Sequence, residues 1–562
     1  MKRPSSLSNN KKRKLKELGA QAAQALVAQR FDVFESMCAK IESIQPGNAD
    51  VANLRGIRSV ERGDLAVAEG LFVQAINAAP RRPEFHENLG KLYLKESLYA
   101  DAVQRFRSAM QYNLTSPEIK LGYCASLIGM GQSEEALEML QGLREKSPQQ
   151  KEVLMVLFDA LSHLEKPEQA LECLDEVISC DPGYFDARFQ RALFLIQLGR
   201  MQDGEEELRA ALAINPNHAR AYANLAELKK FTDSDDADKQ AVEACYERSE
   251  PESDDRVFLC NALGRVYADL KQYDRSFAFY EECNAIRQRK STYHADAELA
   301  HIETIMAHYT QEVLRTSSGL KDERPVFIVG MPRCGSTLAE QILAAHPEVS
   351  TRGEWEAFEL AWLGLQNPDK PLTLEEVAAF GETQWREIGQ AYLDRLEEGE
   401  PGLRIIDKTL NNIRLIGAIR CALPHAKIIH VRRNPLDTCL SIYTSNIQGW
   451  QFDFGLNQGT LGYYYRMYQR LMQHWREVLP EGAMYELDYE QLVANQEDET
   501  RKLLDYCGLD WNDACLNFQQ AGTRVKTASL HQVRQSIYNT SIERWRRYEK
   551  HLQPLARILG AD

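Results

Sequence analysis

Residues 330–337 read Gly-Met-Pro-Arg-Cys-Gly-Ser-Thr. They follow a short apolar, β-branched run, 325–329 (PVFIV), and precede a helical stretch, 338–345. A buried strand that breaks into such a loop and then a helix turns backbone N–H groups toward an anion, and the helix dipole favours negative charge there. The spacing copies the nucleotide loop G-x-x-x-x-G-K-[ST], with one difference. Ser336 stands where a lysine would reach the β- and γ-phosphates of a nucleoside triphosphate. That absence argues against nucleoside triphosphate hydrolysis. Arg333, inside the loop, supplies a guanidinium that can fork onto phosphate or sulfate oxygens.

A second apolar run, 427–431 (KIIHV), leads into Arg432-Arg433-Asn434-Pro435 and on to Ser441. Arg433 at the strand end and Ser441 on the next helix can converge on one phosphate; alone, Arg433 reads as a surface ion pair. Two further runs, 403–406 (LRII) and 483–487 (AMYEL), end in Asp407-Lys408 and Asp488-Tyr489-Glu490. Four runs ending in polar motifs describe an open parallel sheet whose ligands lie at the carboxyl ends of the strands.

The segment 330–338 resembles the 5′-phosphosulfate loop of sulfotransferases that use 3′-phosphoadenosine 5′-phosphosulfate (PAPS), and the arginine–serine spacing resembles that family's 3′-phosphate site. The likeness is strongest to tyrosylprotein sulfotransferases and their bacterial relatives with tetratricopeptide repeats. It implies a P-loop-like α/β domain that releases 3′,5′-adenosine diphosphate. It places Arg333, Cys334, Gly335, Ser336 and Thr337 around the phosphosulfate, and Arg433 and Ser441 on the 3′-phosphate. Lys408 then faces the bridging oxygen of the donor. Tyr489, in a Tyr-Glu-x-Leu segment, lies by the nucleotide. Cys334 replaces the usual serine; its backbone N–H still serves, and it is not read as a nucleophile. Residues 525–545 resemble the family's closing loop, with Ser529 as the active-site serine and Arg534 as a further cation for the 3′-phosphate, although the order of residues around Arg534 departs from the family pattern.

The acceptor proton needs a base. In tyrosylprotein enzymes the segment is Gly-Glu-Glu and the second glutamate is the base, but here that position is Trp355. Bacterial relatives keep one glutamate after the glycine, which points to Glu354, with Glu356 as runner-up. The bland reading of Glu354 is a carboxylate at a helix N-terminus. A sulfonate carries less charge than a γ-phosphoryl group, so no metal is expected. The acceptor expected from the resemblance is a protein or peptide tyrosine; a carbohydrate or small phenol is the alternative. A reading of a different class is a repeat-based scaffold with a relict nucleotide site, against which Arg333, Lys408, Arg433 and Ser441 stand intact.

The first half positions something else. Prolines recur at 46, 80, 148, 182 and 216, at intervals of 34 or twice 34, with Leu114 where the series skips. Gly56 and Gly90 keep this phase, as do Ala68, Ala102, Ala136 and Ala170, Phe72 and Phe106, and Ala75 and Ala109. The pattern resembles the tetratricopeptide repeat, in which helix pairs stack into a solenoid with a concave groove. Gly264 and Tyr267 begin another unit four residues out of register, and the polar stretch 231–238 is expected to loop out the extra residues. The expected organisation is a basic arm at 1–12, seven or eight helical pairs over 13–286, a helical linker at 287–324 and the sulfotransferase domain at 325–562. The groove suits an acceptor peptide or partner protein; a structural extension or homodimerisation arm is the other reading.

Composition sets the limits. A chain of 562 residues exceeds one ordinary core, and 44% hydrophobic with 27% charged residues describes a soluble globular protein. The formal charge of −15 argues against general nucleic-acid binding. No apolar run spans a bilayer, and the basic start (Lys11, Lys12, Arg13, Lys14, Lys16) lacks the apolar core of a secretory signal. It reads as a solvated arm, with a nuclear or membrane-surface address as the alternative. Twelve scattered cysteines without a C-x-x-C pair are expected as reduced thiols in a cytoplasm, with no ligand spacing for zinc.

Overall fold

The computed structural model describes residues 8–113, 116–147, 150–316, 319–364, 376–377, 379–397, 402–445, 449–520 and 541–560. The chain divides into two compact units, 1–191 and 192–562. Among the described residues, sixteen helices run from Asn9 to Gln288, in line with the repeat pattern. The division therefore falls inside the array.

The first unit shows why the 34-residue phase exists. A Cβ on Gly56 would lie 2.6 Å from the ring of Phe72, and one on Gly90 3.1 Å from the ring of Phe106. Glycine on one helix thus admits an aromatic ring from the next, and Ala68, Ala75, Ala102, Ala109, Ala136 and Ala170 are fully buried at the other crossings. Local signals set the ends. The Asn48 side chain accepts a hydrogen bond from the amide of Val51 (3.1 Å) to start the helix Ala49–Arg62, and Gly63 ends it in the left-handed conformation. Pro83 opens the helix Pro83–Lys95, where its missing N–H costs nothing.

The second unit begins with the last repeats, among them the helices Ala219–Leu228, Asp254–Asp269 and Tyr273–Gln288. The expected insertion is present as non-helical chain before the helix Ala237–Arg248. It is not wholly polar: Phe231 is buried, and its amide donates to Asp269 (3.2 Å). The shifted register is real, because a Cβ on Gly264 would meet the Tyr280 ring at 2.7 Å, repeating the Gly56–Phe72 contact. This last pair joins the core of the sheet domain. Phe277 stacks on Tyr443 and His551, Ser276 Oγ lies 3.0 Å from the Tyr548 hydroxyl, and Asn284 donates to the Tyr443 carbonyl (2.9 Å). The linker helices Ala295–His308 and Gln311–Thr316 bury Ile302, Ile305, Tyr309 and Leu314 in that same core.

Five strands form one sheet: β1 Pro325–Gly330, β2 Val349–Thr351, β3 Arg404–Asp407, β4 Lys427–Arg432 and β5 Met484–Asp488. Their order is β2-β3-β1-β4-β5, and every pair is parallel. All six residues of β1 are buried, as a central strand covered on both faces requires. The chain leaves β1 for one side of the sheet and returns to the other side at β4, so the switch point opens at the carboxyl end of β1. The loops after β1, β3, β4 and β5 all emerge at this edge. β2 has no counterpart among the sequence-expected strands, because three half-buried residues give too short a pattern to read.

Candidate active site

The loop after β1 is held in shape by backbone demands. Gly330 and Gly335 have φ of +155° and +102°. A Cβ on Gly330 would lie 2.7 Å from the Val431 carbonyl oxygen, and one on Gly335 2.3 Å from the Tyr489 ring. Gly335 leads directly into the helix Ser336–Ala344, whose Ser336 and Thr337 are buried. Arg333 adopts φ +67°, a conformation that a residue with a Cβ enters only under strain, and such strain gathers at functional loops. Cys334 is buried, and that burial pushes its thiol up to about 11. It stays protonated at neutral pH and has no thiolate to attack with.

The loop meets the end of β4 through side chains. Arg333 Nε donates to Ser441 Oγ (3.1 Å). Arg433 sends one guanidinium nitrogen to the Arg333 carbonyl (3.1 Å) and the other to the Ser541 carbonyl (2.6 Å). Its guanidinium carbon lies 4.9 Å from the centre of the Tyr489 ring, and the Tyr489 hydroxyl is 2.9 Å from Ser541 Oγ. Among the described residues, Arg433 Nε is buried with no hydrogen-bond partner. Arg333, Arg433, Ser441 and Tyr489 are thus one cluster, and its unsatisfied donor is suited to an anion.

A second group lies across the helix Ser336–Ala344. Lys408, fully buried just past β3, donates to Glu354 Oε1 (2.6 Å) and stands 3.8 Å from Glu340 Oε2. Glu340 is itself buried, which raises its carboxyl above the usual range, and it accepts from the Thr351 hydroxyl (2.5 Å). The position of Glu354 comes from β2. Arg352 N bonds the Ile406 carbonyl (2.9 Å), Lys408 N bonds the Gly353 carbonyl (2.9 Å), and Trp355 N bonds Thr409 Oγ1 (3.0 Å). The Glu354 side chain is 53% exposed, so it faces the solvent-open side of the pair. Glu356 instead sits exposed at the start of the helix Ala357–Leu363. Asp407, fully buried beside Lys408 in sequence, accepts from the Thr409 amide (3.1 Å), and burial pushes its carboxyl up to about 7.

The sequence brought Arg333, Cys334, Gly335, Ser336, Thr337, Arg433, Ser441 and Tyr489 to one place, and Lys408 and Glu354 to a neighbouring one. Ser529 and Arg534 lie outside the described residues. Glu340, Asp437 and Ser541 gave no signal of their own, since each matters through a contact distant in sequence. The repeats also reach this region. On the helix Ala219–Leu228, the exposed Glu227 faces the charges of Arg265 and then Arg333. Arg265, at the repeated position in the helix Asp254–Asp269, donates to the Glu227 carbonyl (3.3 Å).

The sulfotransferase family model matches residues 325–513, and tetratricopeptide repeat models match 53–111, 93–157, 163–229 and 259–289. A protein of Aquifex aeolicus is 28% identical over 541 residues, covering 88% of this chain and 68% of its own length. A protein-tyrosine sulfotransferase of Drosophila melanogaster is 26% identical over 41% of this chain and 47% of its own, and protein-tyrosine sulfotransferase 1 of Danio rerio is 26% identical over 38% and 62%. The chain therefore spans about half to three-fifths of these tyrosine sulfotransferases. The solved sulfotransferase domain of the Synechococcus PCC 7002 olefin synthase aligns over 41% of this chain and 90% of that domain, with 22% identity and a TM-score of 0.31. No helix among the described residues is long and apolar enough to cross a membrane. Residues 325–513 form a domain of the sulfotransferase family, carried behind an array of tetratricopeptide repeats.

Proposed function

We propose that this protein transfers the sulfuryl group of PAPS to an acceptor hydroxyl, with a tyrosine in a peptide or protein as the acceptor. The observation that carries the reading is the cluster in which Arg433 spans the loop after β1 and the 541–545 turn while Arg333 bonds Ser441. Its donor set is cationic and amide-rich, its buried Arg433 Nε has no hydrogen-bond partner among the described residues, and it lacks the lysine that a triphosphate needs. PAPS supplies the activated sulfuryl group and a leaving phosphate.

The chain's own residues have three tasks. Arg333 and the amides at the start of the helix Ser336–Ala344 bind the phosphosulfate. Arg433 and Ser441 hold the 3′-phosphate, with Tyr489 packed against Gly335 and the Arg433 guanidinium. Lys408 stabilises charge on the bridging oxygen, and Glu354 takes the acceptor proton once the Lys408–Glu354 pair opens. Fixed donors aimed at developing charge, and reactants held in line, contribute most of the barrier reduction in such sites. The names of the Drosophila and Danio relatives favour tyrosine, and a repeat groove suits an extended peptide. Incubation with sulfur-labelled PAPS and a panel of tyrosine peptides, sugars and small phenols tests this. Label on tyrosine is expected; transfer only to sugars or phenols contradicts the acceptor, and no transfer to any acceptor class contradicts the activity.

A further inference from the structure

One ammonium serves two carboxylates beside the donor loop. Lys408 is fully buried, and its Nζ lies 2.6 Å from Glu354 Oε1 and 3.8 Å from Glu340 Oε2. The two acids differ in setting. The Glu354 side chain is 53% exposed, whereas that of Glu340 is 4% exposed. Glu354 can therefore turn toward an acceptor, and Glu340 cannot leave the interior. A buried ammonium whose single partner turned away would be left uncompensated, and such a charge is strongly destabilising. The second carboxylate removes that cost, because a shift of about 1 Å brings Lys408 and Glu340 to hydrogen-bond distance.

A circuit of contacts holds Glu340 ready. Thr351, at the end of β2, donates its hydroxyl proton to Glu340 Oε1 (2.5 Å) and accepts from the Gly353 amide (3.1 Å). The Gly353 carbonyl in turn accepts from the Lys408 amide (2.9 Å). Gly353 takes φ +67°, which turns the chain between Thr351 and Glu354. With Oε1 held by Thr351, Oε2 is the oxygen that faces Lys408. Glu340 sits on the helix Ser336–Ala344, on the face it shares with Ser336 and Thr337 one turn before it. One helix thus carries both the amides assigned to the phosphosulfate and the second partner of Lys408. Burial raises the Glu340 carboxyl, and the Lys408 ammonium is the first influence that opposes the rise.

We infer that Glu340 is a positioning residue for the transfer step: it takes over the Lys408 ammonium when Glu354 turns to the acceptor, and holds that ammonium at the bridging oxygen. The acceptor hydroxyl proton passes to Glu354, while Lys408 keeps its protons and changes only its hydrogen-bond partner. Thr351 acts one step further out, by aiming Glu340. This rests on the roles given to Lys408 and Glu354 above. It goes beyond them by explaining how the base is released without stranding a buried charge.

The test follows transfer of labelled sulfuryl from PAPS to the panel member that takes the label, using full-length protein. Affinity for 3′,5′-adenosine diphosphate and melting temperature are measured on the same samples. Glu340→Gln keeps the side-chain shape and an oxygen for Thr351 but removes the charge. Its kcat is expected to fall about a hundredfold, as a misplacement of about 1 Å at a reacting group can cause, with donor KM and nucleotide affinity within about twofold of wild type. A glutamate with a structural duty alone would lower the melting temperature and spare kcat. In a Lys408→Ala background the same change is expected to cost nothing more, because Glu340 acts only through that ammonium; an equal loss there overturns the inference. Thr351→Val is expected to lower kcat about tenfold, the worth of one hydrogen bond to a charged group, and Thr351→Ser to restore it. Wild-type kcat in Glu340→Gln, or in Thr351→Val should Glu340→Gln not fold, overturns the inference and leaves the roles of Lys408 and Glu354 standing. If Lys408→Ala and Glu354→Gln keep full turnover, those roles fail and the inference fails with them.

Discussion

Lys408 Nζ lies 2.6 Å from Glu354 Oε1, with the lysine fully buried and the glutamate side chain half exposed. The candidate base and the candidate leaving-group cation are therefore partners before any substrate arrives. The pair keeps a buried ammonium satisfied, and it must open for either group to act.

That pairing separates the effects of mutation. Glu354→Gln removes the base but leaves an amide oxygen to accept from Lys408, with Glu340 still near. Turnover should fall by ~10²–10⁴, the usual cost of a positioned base, while affinity for 3′,5′-adenosine diphosphate stays within about twofold of wild type. Lys408→Ala should also depress turnover, and it leaves Glu340 buried beside a cavity, so it should destabilise more than Glu354→Gln. Steady-state kinetics and thermal melting of both variants check this. Near wild-type turnover for Glu354→Gln with a dead Glu356→Gln would move the base to Glu356.

Arg433→Ala differs in kind. It removes the cation whose Nε has no hydrogen-bond partner among the described residues, and the bonds to the Arg333 and Ser541 carbonyls. A charged hydrogen bond contributes about 1.5–3 kcal/mol, so nucleotide affinity should drop roughly tenfold to a hundredfold. The loss should appear in donor KM before it appears in kcat. A variant with unchanged nucleotide affinity would show that the 3′-phosphate lies elsewhere.

Asp407 gives a pH signature in stability. Burial pushes its carboxyl up to about 7 in the native state, while the unfolded chain releases its proton in the usual carboxylate range. Between those values the native state holds a proton that the unfolded chain has lost. The stabilising contribution is therefore full below the usual range and disappears as pH rises through about 7. Asp407→Asn should flatten this slope. Melting temperatures at pH 5 and pH 8 should differ less in the variant than in wild type; equal slopes would contradict a raised Asp407.

The division between the two units predicts where the chain can be cut. Residues 1–191 hold the helices from Asn9–Val27 to Pro167–Cys180 and the first half of the helix Phe185–Gln197, whereas a cut near 286 strips Phe277 and Tyr280 of the sheet-domain core they share. The fragment 1–191 should show a strong helical circular dichroism signal and a cooperative melt. The fragment 1–286 should be less soluble, because it exposes those rings. Little helical signal from 1–191 would contradict the division.

Much of this was legible in the sequence because the signals are backbone signals. The glycines at 330 and 335 are required by positive φ and close neighbours, and the 34-residue phase is required by rings packed on glycines such as Gly56. The strand ends carrying Lys408, Arg433 and Tyr489 follow from short apolar runs. The sheet order did not follow, since nothing in β2 marks it as an edge strand beside β3. Nor did the Lys408–Glu354 pair or the Asp437–Glu543 bond, which join residues 54 and 106 positions apart. Phe231, inside a stretch that reads as polar, is buried because the repeat shifts its register there.

The most direct test of the central claim is nucleotide choice, measured by calorimetry on the full chain without magnesium. The account predicts that 3′,5′-adenosine diphosphate binds at least roughly a hundredfold more tightly than ATP, as two or more charged hydrogen bonds to a 3′-phosphate would give. Equal or stronger binding of ATP would contradict it.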